Sequence, residues 1–213
     1  MSYTLRQRIY PALGKEAEVR AQLTDWVKHL QGQGRDVALL SRLLSSEGLA
    51  LVALTRANDL AEIERQRRAN LADPDWQARA ARVVGLLRAP VEAALFEAIV
   101  EVPTGAGLPA PGIVARAQGY PAVGKEQQAR SIVEEFARAG QQAGLRQGAS
   151  ARIYSSEGSM LEVTTLYADL AELDRVRKER AEISRQAATA FHELSRAPIA
   201  QRIFEVVVPF PNR

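Results

Sequence analysis

The side chains best placed for chemistry lie on one face of a short alternating stretch. From Leu5 to Leu13 the chain sets Leu5, Gln7 and Ile9 to one side and Arg6, Arg8 and Tyr10 to the other. That is the period of a strand. Arg116, Gln118 and Tyr120 take the same places 110 residues later. A second strand in each half adds Arg42 and Arg152, with Tyr154 on the face of Arg152, and a third adds Glu162 and Thr164. A buried arginine needs a partner or an anion, because an unpaired buried charge is costly. So polar a face predicts one of two things. One is a small anionic or oxygenated molecule held by Arg6, Arg8, Tyr10, Arg42, Arg116, Tyr120, Arg152 and Tyr154. The other is a set of ion pairs, such as Arg42 or Arg152 with Glu162, Glu97 or Glu205.

Other residues capable of chemistry carry weaker signals. His29 lies past the edge of an apolar helix stripe, and the corresponding position in the second half is Ala139. His192 follows Phe191 late in another helix. Neither has ligand-spaced partners that recur in both halves, so no metal and no cofactor are expected. Tyr10-Pro11-Ala12-Leu13-Gly14-Lys15-Glu16 recurs as Tyr120-Pro121-Ala122-Val123-Gly124-Lys125-Glu126. Amides at such a strand-to-helix turn could hold an anion, but a turn alone explains the pattern equally well. Ser45-Ser46-Glu47-Gly48 and Ser155-Ser156-Glu157-Gly158 read as hairpin turns, with no nucleophile elbow.

The elements that must position these residues follow from periodicity. In each half a strand leads into a helix whose apolar stripe is Val19, Leu23, Trp26, Val27 and Leu30, or Ile132, Val133, Phe136 and Ala137. Two strands follow, 36–45 with 49–57 and 148–155 with 159–167. A second helix then begins at Asp59 or Asp169, and a last strand closes the half. Asp73-Pro74 restarts the helix in the first half. In the second half the pattern predicts one unbroken helix over 169–196, with Leu170, Leu173, Ile183, Ala187, Phe191 and Leu194 inward. Leu60 and Ile63 are expected inward in the first. The order β-α-β-β-α-β is that of a ferredoxin-like unit, whose sheet has helices on one face only. The expected organisation is a tandem repeat: residues 1–102, a Pro- and Gly-rich linker 103–112, and residues 113–213. The fold class is α+β, with the two uncovered sheets packed together into an intramolecular barrel.

Composition limits the partners. The 213 residues carry a net charge of only +3, and 46% are hydrophobic. The basic clusters Arg65-Gln66-Arg67-Arg68 and Arg175-Val176-Arg177-Lys178 sit at helical spacing from acidic residues, such as Glu64 and Asp174. They read as solvated helix faces rather than a nucleic-acid surface. No apolar run reaches membrane-spanning length, and no signal segment is read, so a cytoplasmic protein is expected. There is no cysteine for a disulfide or a thiolate.

Arg8-Ile9-Tyr10 followed closely by Gly14-Lys15 is similar to the Arg-x-Tyr strand and glycine turn of the NIPSNAP-like proteins, within the dimeric α+β barrel superfamily. The resemblance covers both halves, although Gln118 replaces Arg8 in the second. It implies a pseudo-dimeric barrel that binds a small molecule between its sheets, and two such barrels could associate. It also leaves open a cofactor-independent oxygenase and a protein-interaction module without ligand. Whether the chain is an enzyme is not decided by its sequence.

Overall fold

The computed structural model describes residues 2–43, 49–103, 110–154 and 159–211, with the side chain of Tyr154 outside the description. Both Ser-Ser-Glu-Gly turns and most of the expected linker therefore lie outside the described residues.

Strands β1 (Tyr3–Ile9), β2 (Val37–Leu43), β3 (Leu51–Ala57) and β4 (Glu92–Val100) belong to the first half of the chain. Strands β5 (Ile113–Gly119), β6 (Arg146–Tyr154), β7 (Met160–Tyr167) and β8 (Ala200–Val208) belong to the second. Their order is β1-β3-β2-β8-β5-β7-β6-β4, closed as a barrel. The helices are α1 (Glu16–Gly32), α2 (Leu60–Ala72), α3 (Pro74–Val84), α4 (Glu126–Gln142), α5 (Leu170–Glu179) and α6 (Ala181–His192). The chain divides into two compact units. The first is built from Leu95 and what precedes it together with Val206–Pro211, the second from Phe96–Glu205.

In the first unit β3 pairs antiparallel with both β1 and β2. Ile9, Leu39 and Leu51 from the strands meet Val19, Leu23 and Val27 of α1 and Val83 of α3 in one core. Trp26 and Trp76 close it with an edge-to-face contact, ring centroids 5.4 Å apart. In the second unit β7 pairs with β5 and β6, and β5 with β8. There Ala129, Val133 and Ala137 of α4 pack on Ala149, Ala151, Leu161 and Val163, with Phe191 of α6.

Both copies of the Tyr-Pro-Ala-x-Gly-Lys-Glu stretch do the same local work. Pro11 and Pro121 form isolated bridges to Leu87 and Ser195. Gly14 and Gly124 take φ of 79° and 80°, the left-handed region where a side chain would be strained. The Asp-Leu-Ala-Glu repeat is a capping device. The amide of Glu62 donates to Asp59 at 2.6 Å and that of Glu172 to Asp169 at 2.8 Å. Each glutamate in turn accepts from the amide four residues back, Asn58 or Ala168.

Several expectations need correction. The helix expected over 169–196 breaks at Arg180, whose φ of −111° and ψ of 15° are not helical, so α5 and α6 are separate without any proline. Leu60, Leu170 and Ile183, expected inward, are about half exposed, at 48%, 53% and 48%. The first two are the opening residues of their helices, α2 and α5. Ile183 rides on α6, which buries little besides Phe191. The first strand ends at Ile9 rather than Leu13, because Pro11 has no amide proton to continue the ladder.

Candidate functional site

The second unit contains a cavity of about 460 Å³ between its sheet and its helices. Its floor is the helix-facing side of three strands: Ala115, Ala117 and Gly119 of β5, Leu161, Val163, Thr165 and Tyr167 of β7, and Gln147 of β6. Ile132, Val133 and Phe136 of α4 form one wall, and Val176, Ala187, Ala188 and Phe191 of α5 and α6 another. Exposed Arg177, Ser184 and Gln201 also line it, so solvent reaches it along these residues. Most of the lining is apolar, and the volume falls in the range of small-ligand pockets.

Three small residues shape this space. At Gly119 a Cβ would lie 2.1 Å from the Phe191 ring, so the ring lies directly over the strand. At Gly140 of α4 a Cβ would collide with the Gln147 side-chain amide, which would have to move aside. Ser184 puts a small side chain on the helix that covers the sheet. The corresponding positions of the first unit are Ile9 and Leu30 with Val37, at the offset of 110, and Trp76, because the offset in the second helix is 108, as the bridges of Leu87 and Ser195 show. There Ile9 and Val37 are core residues, with Leu30 packed against them. Trp76 meets Trp26, which corresponds to Phe136.

The polar groups of the cavity are few. Gln147 is 2% exposed, and its side-chain amide has no hydrogen-bond partner among the described residues. Its backbone carbonyl accepts from Gln141 at 2.7 Å, which holds the end of α4 to the strand. Gln31 does the same for Val37 at 2.8 Å. Burial pushes the Tyr167 phenol above its ordinary value; Thr165 lowers it, the charge of Glu172 raises it and that of Arg180 lowers it. Arg177 and Arg180 border the cavity without a side-chain ion pair or hydrogen bond among the described residues.

The opposite face of the same sheet holds a polar network centred on Glu162, which is fully buried. Gln118 donates to it at 2.6 Å and Thr164 at 2.9 Å, and the Arg116 guanidinium stands 3.6 Å away. Arg116 also lies over the Phe204 ring, at 5.0 Å. Arg152 and Arg196 approach the Tyr120 ring at 5.6 and 5.7 Å.

In the first unit Tyr10 donates to Glu92 at 3.2 Å, and Arg8 stands 3.7 Å from the same carboxylate. Burial, then the Glu92 charge, raise the Tyr10 phenol above its ordinary range. Arg6 and Arg152 are buried and Arg42 is half-buried. The sequence candidates thus gather as Arg8 with Tyr10, Arg116 beside Glu162, and Arg152 with Tyr120. Of the eight, Arg116 borders the cavity. The carboxylate paired with Arg116 is Glu162, which the sequence reading had matched with Arg42 or Arg152. What that reading missed is Gln147, Gly119, Gly140 and Ser184. His29 and His192 are exposed, and His29 faces Gln33 at 3.1 Å. No group of three or more potential metal ligands occurs among the described residues. No helix among them is long and apolar enough to cross a membrane.

No family model matches this sequence, and no curated protein matches it. Solved structures do. A candidate monooxygenase from Fusobacterium nucleatum subsp. nucleatum aligns over 100% of this chain and 98% of its own, at 9% identity and a TM-score of 0.78. One from Lactobacillus acidophilus aligns over 98% and 95%, at 8% identity and a TM-score of 0.70. An anthrone oxidase-like protein aligns over 98% and 92%, at 11% identity and a TM-score of 0.69. The fold is that of the dimeric α+β barrel proteins. At these identities the likeness is one of fold, and activity must be argued from the site.

Proposed function

We propose that this chain is a small-molecule-binding barrel protein whose second unit takes a compact, largely apolar ligand between its sheet and its helices. The observation that carries the reading is the 460 Å³ cavity, lined by alanine, leucine, valine and phenylalanine side chains and bordered by a few polar groups. Arg177 and Arg180 at its border favour a ligand whose outer end is anionic or oxygenated. The recurrence at 110 residues is read as a fusion of two copies, 1–102 and 113–213, of which the second has kept a binding space. The Arg-x-Tyr strand supports a NIPSNAP-like relationship within that fold.

The test is direct. Anilinonaphthalene sulfonate, an aromatic anion that brightens in apolar surroundings, should bind the wild type saturably. Ser184→Trp, which places in the second unit the residue that stands at the corresponding position of the first, should abolish that binding while the fold is kept. Undiminished binding to a folded Ser184→Trp protein would sink the reading.

A second reading is favoured by the fold neighbours named as candidate monooxygenases and as anthrone oxidase-like. In it the cavity holds an activated methylene compound. Dioxygen replaces its two C–H bonds with a C=O bond, one oxygen atom entering the product and the other leaving as water with the two hydrogens. Tyr167, which keeps its proton through the neutral range, would donate a hydrogen bond to the enolate oxygen. Incubation with anthrone should consume one dioxygen per quinone formed. Oxidation no faster than in buffer would remove this reading and leave the binding one.

A further inference from the structure

We infer that Gln147 is the specificity-determining residue of the second-unit cavity, and that it selects a ligand whose inner end carries a neutral carbonyl or phenolic oxygen on an otherwise apolar body. The inference rests on the proposed function, because it assigns the chemistry of that same cavity.

A primary carboxamide carries two donors and one strong acceptor. In a folded interior such groups are almost always paired, because an unpaired one loses its water contacts with nothing in return. Gln147 is 2% exposed, lines the cavity, and has a side-chain amide without a hydrogen-bond partner among the described residues. Its place also looks built. Gly140 lies opposite it in the middle of α4's last turns, a position where glycine costs helix stability and where a Cβ would collide with the amide. The first unit shows what the same two positions look like without this requirement: Leu30 and Val37, both part of an apolar core. Leucine and valine stand at these places in the first unit's core, and glycine and glutamine stand there in the unit whose cavity Gln147 lines.

Thr165 stands across the ladder from Gln147 and Tyr167 lies further along the same strand; the rest of the lining is mostly carbon, so a ligand that displaces water from the amide must bring an oxygen to it or leave it unpaired. Ala115, Ala117, Val163 and Phe191 offer nothing to it, and they disfavour a charged group at that depth. A neutral oxygen on a ring or chain satisfies the amide and leaves the rest of the ligand against carbon. A molecule of equal shape without that oxygen would strip water from Gln147 and replace it with nothing, which is the stronger discrimination.

Binding of naphthol and of naphthalene to the full chain tests this by calorimetry or competition with anilinonaphthalene sulfonate. The wild type should prefer naphthol by about tenfold, the worth of one buried hydrogen bond. Gln147→Leu should bind both probes alike, mainly by gaining affinity for naphthalene. Gly140→Ala, which displaces the amide without removing it, should also lose the preference. Equal binding of the two probes by the wild type, or a preference that survives in Gln147→Leu, would overturn the role of Gln147 and leave the cavity reading standing. If neither probe nor anilinonaphthalene sulfonate binds the wild type, the cavity reading fails and the inference fails with it.

Discussion

Arg177 and Arg180 border the cavity without ion-pair partners among the described residues, whereas Arg175 and Lys178 of α5 pair with Glu179 and Asp174. Charge left unpaired beside an apolar space acts on what enters it. Arg177→Ala with Arg180→Ala should therefore weaken binding of naphthoate by about three- to tenfold, the scale of one or two partly exposed charge pairs. Naphthol binding should hardly change. Equal losses for both probes would mean that the arginines shape the rim rather than attract an anion. Tyr167 makes a second prediction. Burial raises its phenol above the ordinary 10.0, so the folded protein holds that proton more tightly than the unfolded chain. Its contribution is fully present below pH 10 and is lost as pH rises through the folded value. Tyr167→Phe should thus lose less stability than the wild type between neutral pH and the alkaline limb, as read by urea midpoints. Parallel curves would contradict the assignment.

Elements explain why much of the fold was legible and the site was not. Alternation at Leu5–Ile9, the apolar stripe at Val19, Leu23 and Val27, and the Asp59 and Asp169 caps are statements about residues that are present, and each has a local physical cause. The cavity is shaped by small residues: Gly119, over which the Phe191 ring lies, Gly140, against which the Gln147 amide packs, and a hydroxymethyl at Ser184 where the first unit has Trp76. Periodicity weighs large apolar residues and passes over glycine and serine, so it led to the arginine-bearing face instead. The helix break at Arg180 was hidden for a related reason. The residue is a good helix former, so its non-helical conformation has no cause in its own propensity. The Gly119 contact is testable at this scale. Gly119→Ala would press a methyl group into the Phe191 ring, which is held between β5 and α4, and should cost about 1–3 kcal/mol in denaturant unfolding. The reverse change, Ile9→Gly in the first unit, should also destabilise, by leaving a hole beside Val83. A neutral Gly119→Ala would show that the ring can move aside, and the cavity wall would then be less fixed than drawn.

Across the whole chain, two halves with the same element order differ in what fills the space between sheet and helices. The first fills it with the Trp26–Trp76 pair and with Leu30 packed on the core that includes Val37; the second has a cavity with the buried Gln147 in its lining. A protein built this way should bind one ligand per chain, not two, although Tyr-Pro-Ala-x-Gly-Lys-Glu occurs in both halves. Trp76→Ser tests the asymmetry by giving the first unit the residue of the second. The tryptophan is half-buried, so its loss should cost about 2–3 kcal/mol, less than the ~3–5 kcal/mol of a fully buried one, edge-to-face contact included. The variant should still fold and should gain a second site for naphthalene, seen as a doubled stoichiometry. Because Leu30 and Val37 still occupy the places of Gly140 and Gln147, that new site should show no preference for naphthol. A second site that prefers naphthol would mean that oxygen recognition comes from elsewhere in the unit, and Gln147 would lose its assigned role. A stoichiometry that stays at one would mean that the first unit closes over the hole, so that α3 is held less rigidly against its sheet than the tryptophan contact implies.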